Sequence, residues 1–283
     1  MHVFTTKKTL TNFLSERINS SFSIGFVPTM GAIHAGHISL IKNSINQNNI
    51  TVVSIFVNPT QFDDQIDLEK YPKDLVNDVK LISLKVDADI VIYAPEVMDL
   101  YEENVSIETF DFRGIELLME GKSRPGHFNG VATVVNKLFN IVKPHRAYFG
   151  EKDFQQLQII RKLVKVRKIS TLIIACPTVR ELNGLAISSR NNRLSKYQKT
   201  RASKVYQILH QVKQKFNDDS IINITKWVEE QFKMDTLFKL EYFNICDIST
   251  FEQAVNIDLT KSYRAFIAVY VADIRLIDNI ALN

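Results

Sequence analysis

The stretch Ser23-Ile-Gly-Phe-Val27 followed by Pro28-Thr-Met-Gly-Ala-Ile-His34-Ala-Gly-His37 decides the reading of this chain. Its first five residues are a β-rich apolar run and read as a strand. The residues just beyond it, Ile38-Ser-Leu-Ile-Lys-Asn-Ser-Ile45, carry apolar side chains at helical spacing. His34 and His37 therefore lie where a strand hands over to a helix. The free N–H groups of the first helical turn, and the positive end of the helix dipole, favour an anion there, and phosphate is the natural guest.

Outward from this stretch, short apolar runs alternate with amphipathic segments. Strands are expected at 2–4, 23–27, 51–57, 90–93, 146–149 and 172–175, and helices at 7–18, 36–47, 72–86, 129–142 and 154–166. That alternation argues for a parallel sheet covered on both faces, which binds ligands beyond the carboxyl ends of its strands. Three polar motifs follow three strand ends: the His34–His37 stretch, Asn58-Pro-Thr-Gln61 and Gly150-Glu-Lys-Asp153. They converge if the sheet forms. After about Cys176 the pattern changes to helices at 195–216 and 223–232, then strands at 241–246, 263–271 and 275–277. This predicts a smaller α+β domain, with a polar connection over 177–193. The expected architecture is α/β: a Rossmann-like N-terminal domain over residues 1–178 and a small α+β domain over 179–283.

Composition narrows the function. The 283 residues are 45% hydrophobic and 23% charged with a formal net charge of +4, an ordinary soluble balance with a weak preference for anionic ligands. No run of five like charges, basic stripe or aromatic cluster suggests nucleic acid. Cys176 and Cys246 lack metal spacing and read as buried thiols in a reducing compartment. Without a signal pattern or a membrane-length apolar run, a cytoplasmic location is expected.

Several residues carry chemistry. Gly150 lets backbone approach a ligand, Lys152 offers a point charge to phosphate, and Asp153 can bind ribose hydroxyls or cap the next helix. Ile187-Ser-Ser-Arg190 brings two hydroxyls and a guanidinium together, a second anion-binding candidate. Gln61 and Gln156 can read hydroxyl and carboxylate groups without adding charge. Arg124-Pro-Gly-His127 is a turn-rich entry to a helix, compatible with a lid or a dimer contact. There is no Walker A sequence, no G-x-G-x-x-G and no nucleophile elbow. Phosphate donors together with carboxylate readers suit transfer of a nucleotidyl group, where positioning and charge stabilisation do the catalysis. A nucleotidylyltransferase acting on a phosphorylated acceptor would favour extra Arg or Lys beside Gln61 and Gln156.

In order and spacing, PTMGAIHAGH (28–37), FVNPTQF (56–62), DLEKYPKD (67–74), RPGHFNGVATVVNKLFNIVKP (124–144), AYFGEKDFQQL (147–157), PTVRE (177–181), SSRN (188–191) and RLIDN (275–279) together resemble the pantoate–β-alanine ligases. The resemblance implies a homodimeric enzyme of coenzyme A (vitamin B5) biosynthesis with a C-terminal domain that closes over the first. It implies ATP with Mg²⁺, a pantoyl-adenylate intermediate, and release of pyrophosphate and AMP. By matching position, Met30, Gly31, Ala32, Ile33, His34, Ala35, Gly36 and His37 line ATP, with His37 the catalytic proton donor and His34 and Lys152 beside it at the phosphates. Gly150, Glu151, Lys152 and Asp153, and then Val179, Ile187, Ser188, Ser189 and Arg190, complete the ATP set. Gln61 and Gln156 read pantoate. Gln61, with Asn58 more weakly, lies near β-alanine. Magnesium is expected on the ATP phosphates, with no protein metal site. Ile187 stands where the family usually has Met, Asn183 where it more often has Asp, and Ala35 where a more polar residue is usual.

Overall fold

The computed structural model describes residues 1–17, 22–62, 68–69, 71–102 and 104–283. Ile18, Asp67 and Lys70, which belong to expected stretches, lie outside the described residues. The chain divides into two compact units, Met1–Pro177 and Thr178–Asn283.

The first unit contains strands β1 (His2–Phe4), β2 (Ile24–Thr29), β3 (Ile50–Ile55), β4 (Ile90–Tyr93), β5 (Arg146–Gly150) and β6 (Leu172–Cys176). They form one parallel sheet in the order β1-β4-β3-β2-β5-β6. Its helices are α1 (Lys7–Arg17), α2 (Ala35–Gln47), α3 (Leu75–Lys85), α4 (Val97–Tyr101), α5 (Glu120–Ser123), α6 (His127–Val142) and α7 (Phe154–Val166). From β2 the chain builds one way through β3 and β4; from β5 it builds the other way to β6. The order therefore reverses between β2 and β5, the place where open parallel sheets bind ligands. β2, β3 and β4 are buried on both faces, as a covered sheet requires.

Local differences from the expected boundaries have physical causes. β2 runs through Pro28 to Thr29. Proline lacks a donor for the ladder, but at Pro28 the strand pairs only with Ser54 of β3, its pairing with β5 being confined to Gly25 and Phe26. α3 starts at Leu75 rather than Pro72 because the Asp74 carboxylate caps it, accepting from Asn77 N at 3.0 Å. α6 begins two residues earlier than expected, at His127.

The second unit holds α8 (Lys196–Ala202), α9 (Lys204–Lys215), α10 (Ile221–Lys233) and an antiparallel sheet of β7 (Phe238–Asp247), β8 (Tyr263–Val271) and β9 (Ile274–Ala281). The expected single helix over 195–216 is interrupted at Ser203, whose hydroxyl turns back to Thr200 O at 2.8 Å. α8 starts at a full capping box of Ser195 and Gln198. Ile208, Leu209, Ile224, Val228, Ile267 and Val269 make the centre of this unit's own core. Among the described residues no helix is long and apolar enough to cross a membrane.

Candidate active site

Because β3, β2 and β5 are neighbours, the three expected motifs leave the sheet side by side. Beyond β2, Thr29 Oγ1 donates to Ser54 O at 2.7 Å and accepts from Gly31 N at 3.2 Å. The chain then reverses through two left-handed residues, Gly31 (φ 82°) and Ala32 (φ 49°). The first suits glycine; the second is uncommon for a residue with a Cβ and needs outside support. Asp78, on the first turn of α3, supplies it. Its two carboxylate oxygens accept from Ala32 N at 3.0 Å and Ile33 N at 2.7 Å. Burial pushes the Asp78 carboxyl above its ordinary value while these two amides pull the other way. Sequence reading missed Asp78. Its partners are more than forty residues away, and it sits in a plain amphipathic helix.

Asp78→Ala is expected to destabilise the protein by about 2 kcal/mol, because two largely buried amides lose their acceptor. Denaturant titration checks this; an unchanged midpoint would remove Asp78 from the support of the 30–33 loop.

His34 is the N-cap of α2, its Nδ1 accepting from Gly36 N at 3.2 Å, so its Nε2 carries the hydrogen. Its ring stacks on His37 with centroids 4.0 Å apart and planes 21° from parallel. His37 Nδ1 is covered and has no hydrogen-bond partner among the described residues. Burial, then the Lys152 charge, push His34 down to about 4. Burial, then His34 and Lys152, push His37 well below its ordinary value. Both rings are therefore neutral in the ligand-free protein at pH 7. The charge beside the pair is that of Lys152, and the two imidazoles are neutral.

Lys152 lies on a 3-10 turn, Glu151–Asp153, between β5 and α7. Its charge lowers both rings from across the neighbouring strand ends, β2 and β5 being paired in the sheet. Lys152 Nζ is 3.3 Å from Asp153 Oδ1. Asp153 occupies the N-cap position of α7, yet its side chain makes no capping bond and is 47% exposed. The carboxylate is thus available for another partner.

After β3, Asn58 caps the 3-10 turn Pro59–Gln61. Asn58 is buried; its Oδ1 accepts from Thr60 Oγ1 at 3.0 Å and Tyr101 Oη at 2.6 Å, and its Nδ2 donates to Gln61 Oε1 at 3.1 Å and Gly130 O at 3.3 Å. Asn58 thus stands behind Gln61, whose Nε2 lies against Met30 Sδ. Loops after β2 and β3 are joined through that contact. On α7, Gln155 is buried and spends its amide on Glu120 N, Ile115 O and Leu118 O. The next residue, Gln156, is partly exposed and has no hydrogen-bond partner among the described residues.

In the second unit, Arg180 and Ala186 form a short bridge, and Ile187 N donates to Val179 O at 3.0 Å. Ser188 caps a 3-10 turn, Ser189–Arg193, through Arg190 N at 3.3 Å. Arg180 forks onto Asp278 at 2.6 and 2.9 Å and lies 3.9 Å from the Tyr206 ring centroid. This pair links the PTVRE and RLIDN stretches. Asn183 Oδ1 accepts from Leu185 N at 3.1 Å, a turn bond an aspartate would also make. Ala35 is exposed at the start of α2.

Among the described residues no group of three or more His, Cys, Asp or Glu side chains could hold a metal ion. Asp78, the buried acid bonded to the loop after β2, is committed to two amides. A protein-held Mg²⁺ is therefore not matched by these side chains.

The family model for pantoate-beta-alanine ligase matches residues 2–281. A pantothenate synthetase of Flavobacterium psychrophilum is 51% identical over 283 residues, all of both chains, and one of Christiangramia forsetii is 48% identical over the same full lengths. The crystal structure of pantothenate synthetase from Thermus thermophilus superposes with a TM-score of 0.90 at 35% identity, covering 100% of this chain and 99% of that one. A pantoate-beta-alanine ligase of Francisella tularensis, complexed with beta-gamma ATP and β-alanine, gives 0.80 at 38% identity over 100% and 98%. With the switch-point site, the motif order and full-length likeness in agreement, this chain belongs to the pantoate–β-alanine ligase family.

Proposed function

We propose that the crevice beyond β2, β3 and β5 makes pantoyl-adenylate from ATP and pantoate, and that β-alanine then takes the acyl group. One observation carries this reading: His34 and His37 stack at the start of α2, at the reversal of strand order, with Lys152 in the turn after the neighbouring strand β5. A lysine, an imidazole pair and a helix N-terminus at neighbouring strand ends support a triphosphate as the ligand.

In the first step a pantoate carboxylate oxygen bonds to the α-phosphorus and the bond to the β-phosphate bridging oxygen breaks, releasing pyrophosphate. The nucleophile is already an anion, so no general base is needed. His37, His34 and Lys152 stabilise charge on the phosphates as it shifts to the leaving group. Met30 to His37 and Gly150 to Asp153 bind ATP, with Asp153 toward the ribose. The family resemblance further assigns Val179 and Ile187 to Arg190 to nucleotide binding. Mg²⁺ enters as part of the nucleotide substrate. Gln156, with its free amide, and Gln61 read pantoate. In the second step the β-alanine amine, near Gln61 with Asn58 behind it, attacks the acyl carbon, AMP leaves, and the amine proton goes to solvent or phosphate. We further propose a cytoplasmic homodimer: the family resemblance supports the dimer, and two buried unpaired thiols, Cys176 and Cys246, support a reducing compartment.

The test is exchange of labelled pyrophosphate into ATP. It is expected to require pantoate and to proceed without β-alanine. Exchange that needs β-alanine would exclude a separate adenylation step.

A further inference from the structure

We infer that Arg124 and His127 are positioning residues that clamp the main chain of Gln61 and so fix the direction of its side chain. The inference rests on the reading of Gln61 as a pantoate-binding residue. Gln61 closes the 3-10 turn after β3, and the last carbonyls of a helical turn have no partner within it. Two side chains reach the Gln61 carbonyl. His127 Nδ1 is 2.7 Å from it and Arg124 Nη2 is 3.2 Å away. A carbonyl only accepts, so Nδ1 must carry the hydrogen and Nε2 must be bare. The bare Nε2 is 3.2 Å from Arg124 Nη1, which can donate to it. Arg124 thus selects the His127 tautomer that can hold Gln61 while holding the same carbonyl itself.

The helix behind this clamp is shaped for close approach. His127 is buried as the first residue of α6, and Gly126 before it adopts φ 80°. One turn on, a Cβ at Gly130 would sit 2.1 Å from Thr60 O and 2.9 Å from Gln61 Cα. Only glycine lets α6 lie this close to the turn. On the other side Asn58 Nδ2 grips Gln61 Oε1 at 3.1 Å, and Asn58 is itself held by Tyr101 Oη. Gln61 is therefore fixed at its main chain by one element and at its amide by another. A ligand that needs this amide meets it already placed, without the entropic cost of ordering it. The Arg-Pro-Gly-His stretch, which sequence alone left as lid or dimer contact, has this role in the fold.

The experiment compares His127→Leu with His127→Asn, whose Nδ2 falls near the position of the imidazole Nδ1. In the pyrophosphate exchange assay, His127→Leu is expected to raise KM for pantoate about tenfold, as expected for a lost buried hydrogen bond to a placed group, with KM for ATP within about twofold. His127→Asn should return KM for pantoate to within about threefold of wild type. Deuterium exchange of residues 59–62 should accelerate in the Leu variant and return toward wild type in the Asn variant. An unchanged KM for pantoate, equal rises for pantoate and ATP, or no rescue by Asn would each overturn the clamp. If His127→Leu does not fold, Arg124→Met decides by the same two measurements. A wild-type chain without pantoate-dependent exchange would overturn the reading of Gln61, and deuterium exchange would still decide the clamp.

Discussion

His37→Ala is expected to lower pantoate-dependent pyrophosphate exchange by roughly 10²–10³-fold, the loss typical of one preorganised donor at developing charge. At about 1.4 kcal/mol per decade this is about 3–4 kcal/mol of transition-state stabilisation. The ring is held in place by stacking on His34 at 4.0 Å, and its Nδ1 is covered without a partner among the described residues. It is thus built in advance and costs little reorganisation when phosphate charge develops. The ring is neutral because burial, and then His34 and the Lys152 charge, disfavour imidazolium. On the proposed reading, it would act as an N–H donor to the triphosphate rather than as a resident cation. Two controls separate this from a structural effect. Removing a covered polar atom that has no partner should cost little folding stability, so the thermal midpoint should change far less than the rate. His37→Asn, which keeps an N–H donor on a shorter side chain, should recover about tenfold of the loss. Near-wild-type exchange in His37→Ala would sink the assignment.

How much of this site could be read from sequence depends on the range of each interaction. The His34–His37 stretch was legible because a short continuous apolar run gives way to apolar residues at helical spacing around it, a local signal. The Gly150–Asp153 and Asn58–Gln61 motifs were legible for the same reason, and the sheet order β3-β2-β5 explains why strand ends far apart in the chain become neighbours. What escaped was support acting across the chain. Asp78 holds amides at Ala32 and Ile33, and Arg180 is paired with Asp278, each through bonds that no local pattern marks. Pro28 falls just outside the strand expected at 23–27. It lies within β2 because only the β3 side is paired there. Asp153 was open between a helix cap and a ligand group, and its capping bond is absent. The protonation of the histidine pair is set by burial and by Lys152, neither of which the spacing marks.

That protonation makes the fold acid-sensitive in a defined window. An unfolded histidine titrates near 6.5, whereas His34 in the fold titrates at about 4, lowered first by burial and then by Lys152. Below pH 6.5 the unfolded chain takes up a proton that the folded chain refuses. The difference in bound protons then makes stability fall as pH falls, until the folded ring itself protonates near 4. For His34 the loss is roughly 2–3 kcal/mol across that window, and His37 adds to it in the same direction. Carboxylates elsewhere also titrate in this range, so the comparison must be with a variant. In His34→Asn the side-chain oxygen can keep the acceptor for Gly36 N at the helix start, while the titrating ring is gone. Urea titrations at pH 7.5 and 4.5 should show the wild type losing about 2 kcal/mol more than His34→Asn; equal losses would mean that the pair is not held neutral by the fold. The same linkage reaches the chemistry. A triphosphate beside the rings neutralises Lys152 electrostatically and favours their charged forms, so ATP binding between pH 4 and 6.5 should take up protons. Calorimetry in buffers of different ionisation enthalpy should register that uptake in the wild type, and less of it in His34→Asn. A site that works with fixed lysine charge and rings charged on demand needs no buried imidazolium in the empty enzyme, whose desolvation would oppose folding at every pH.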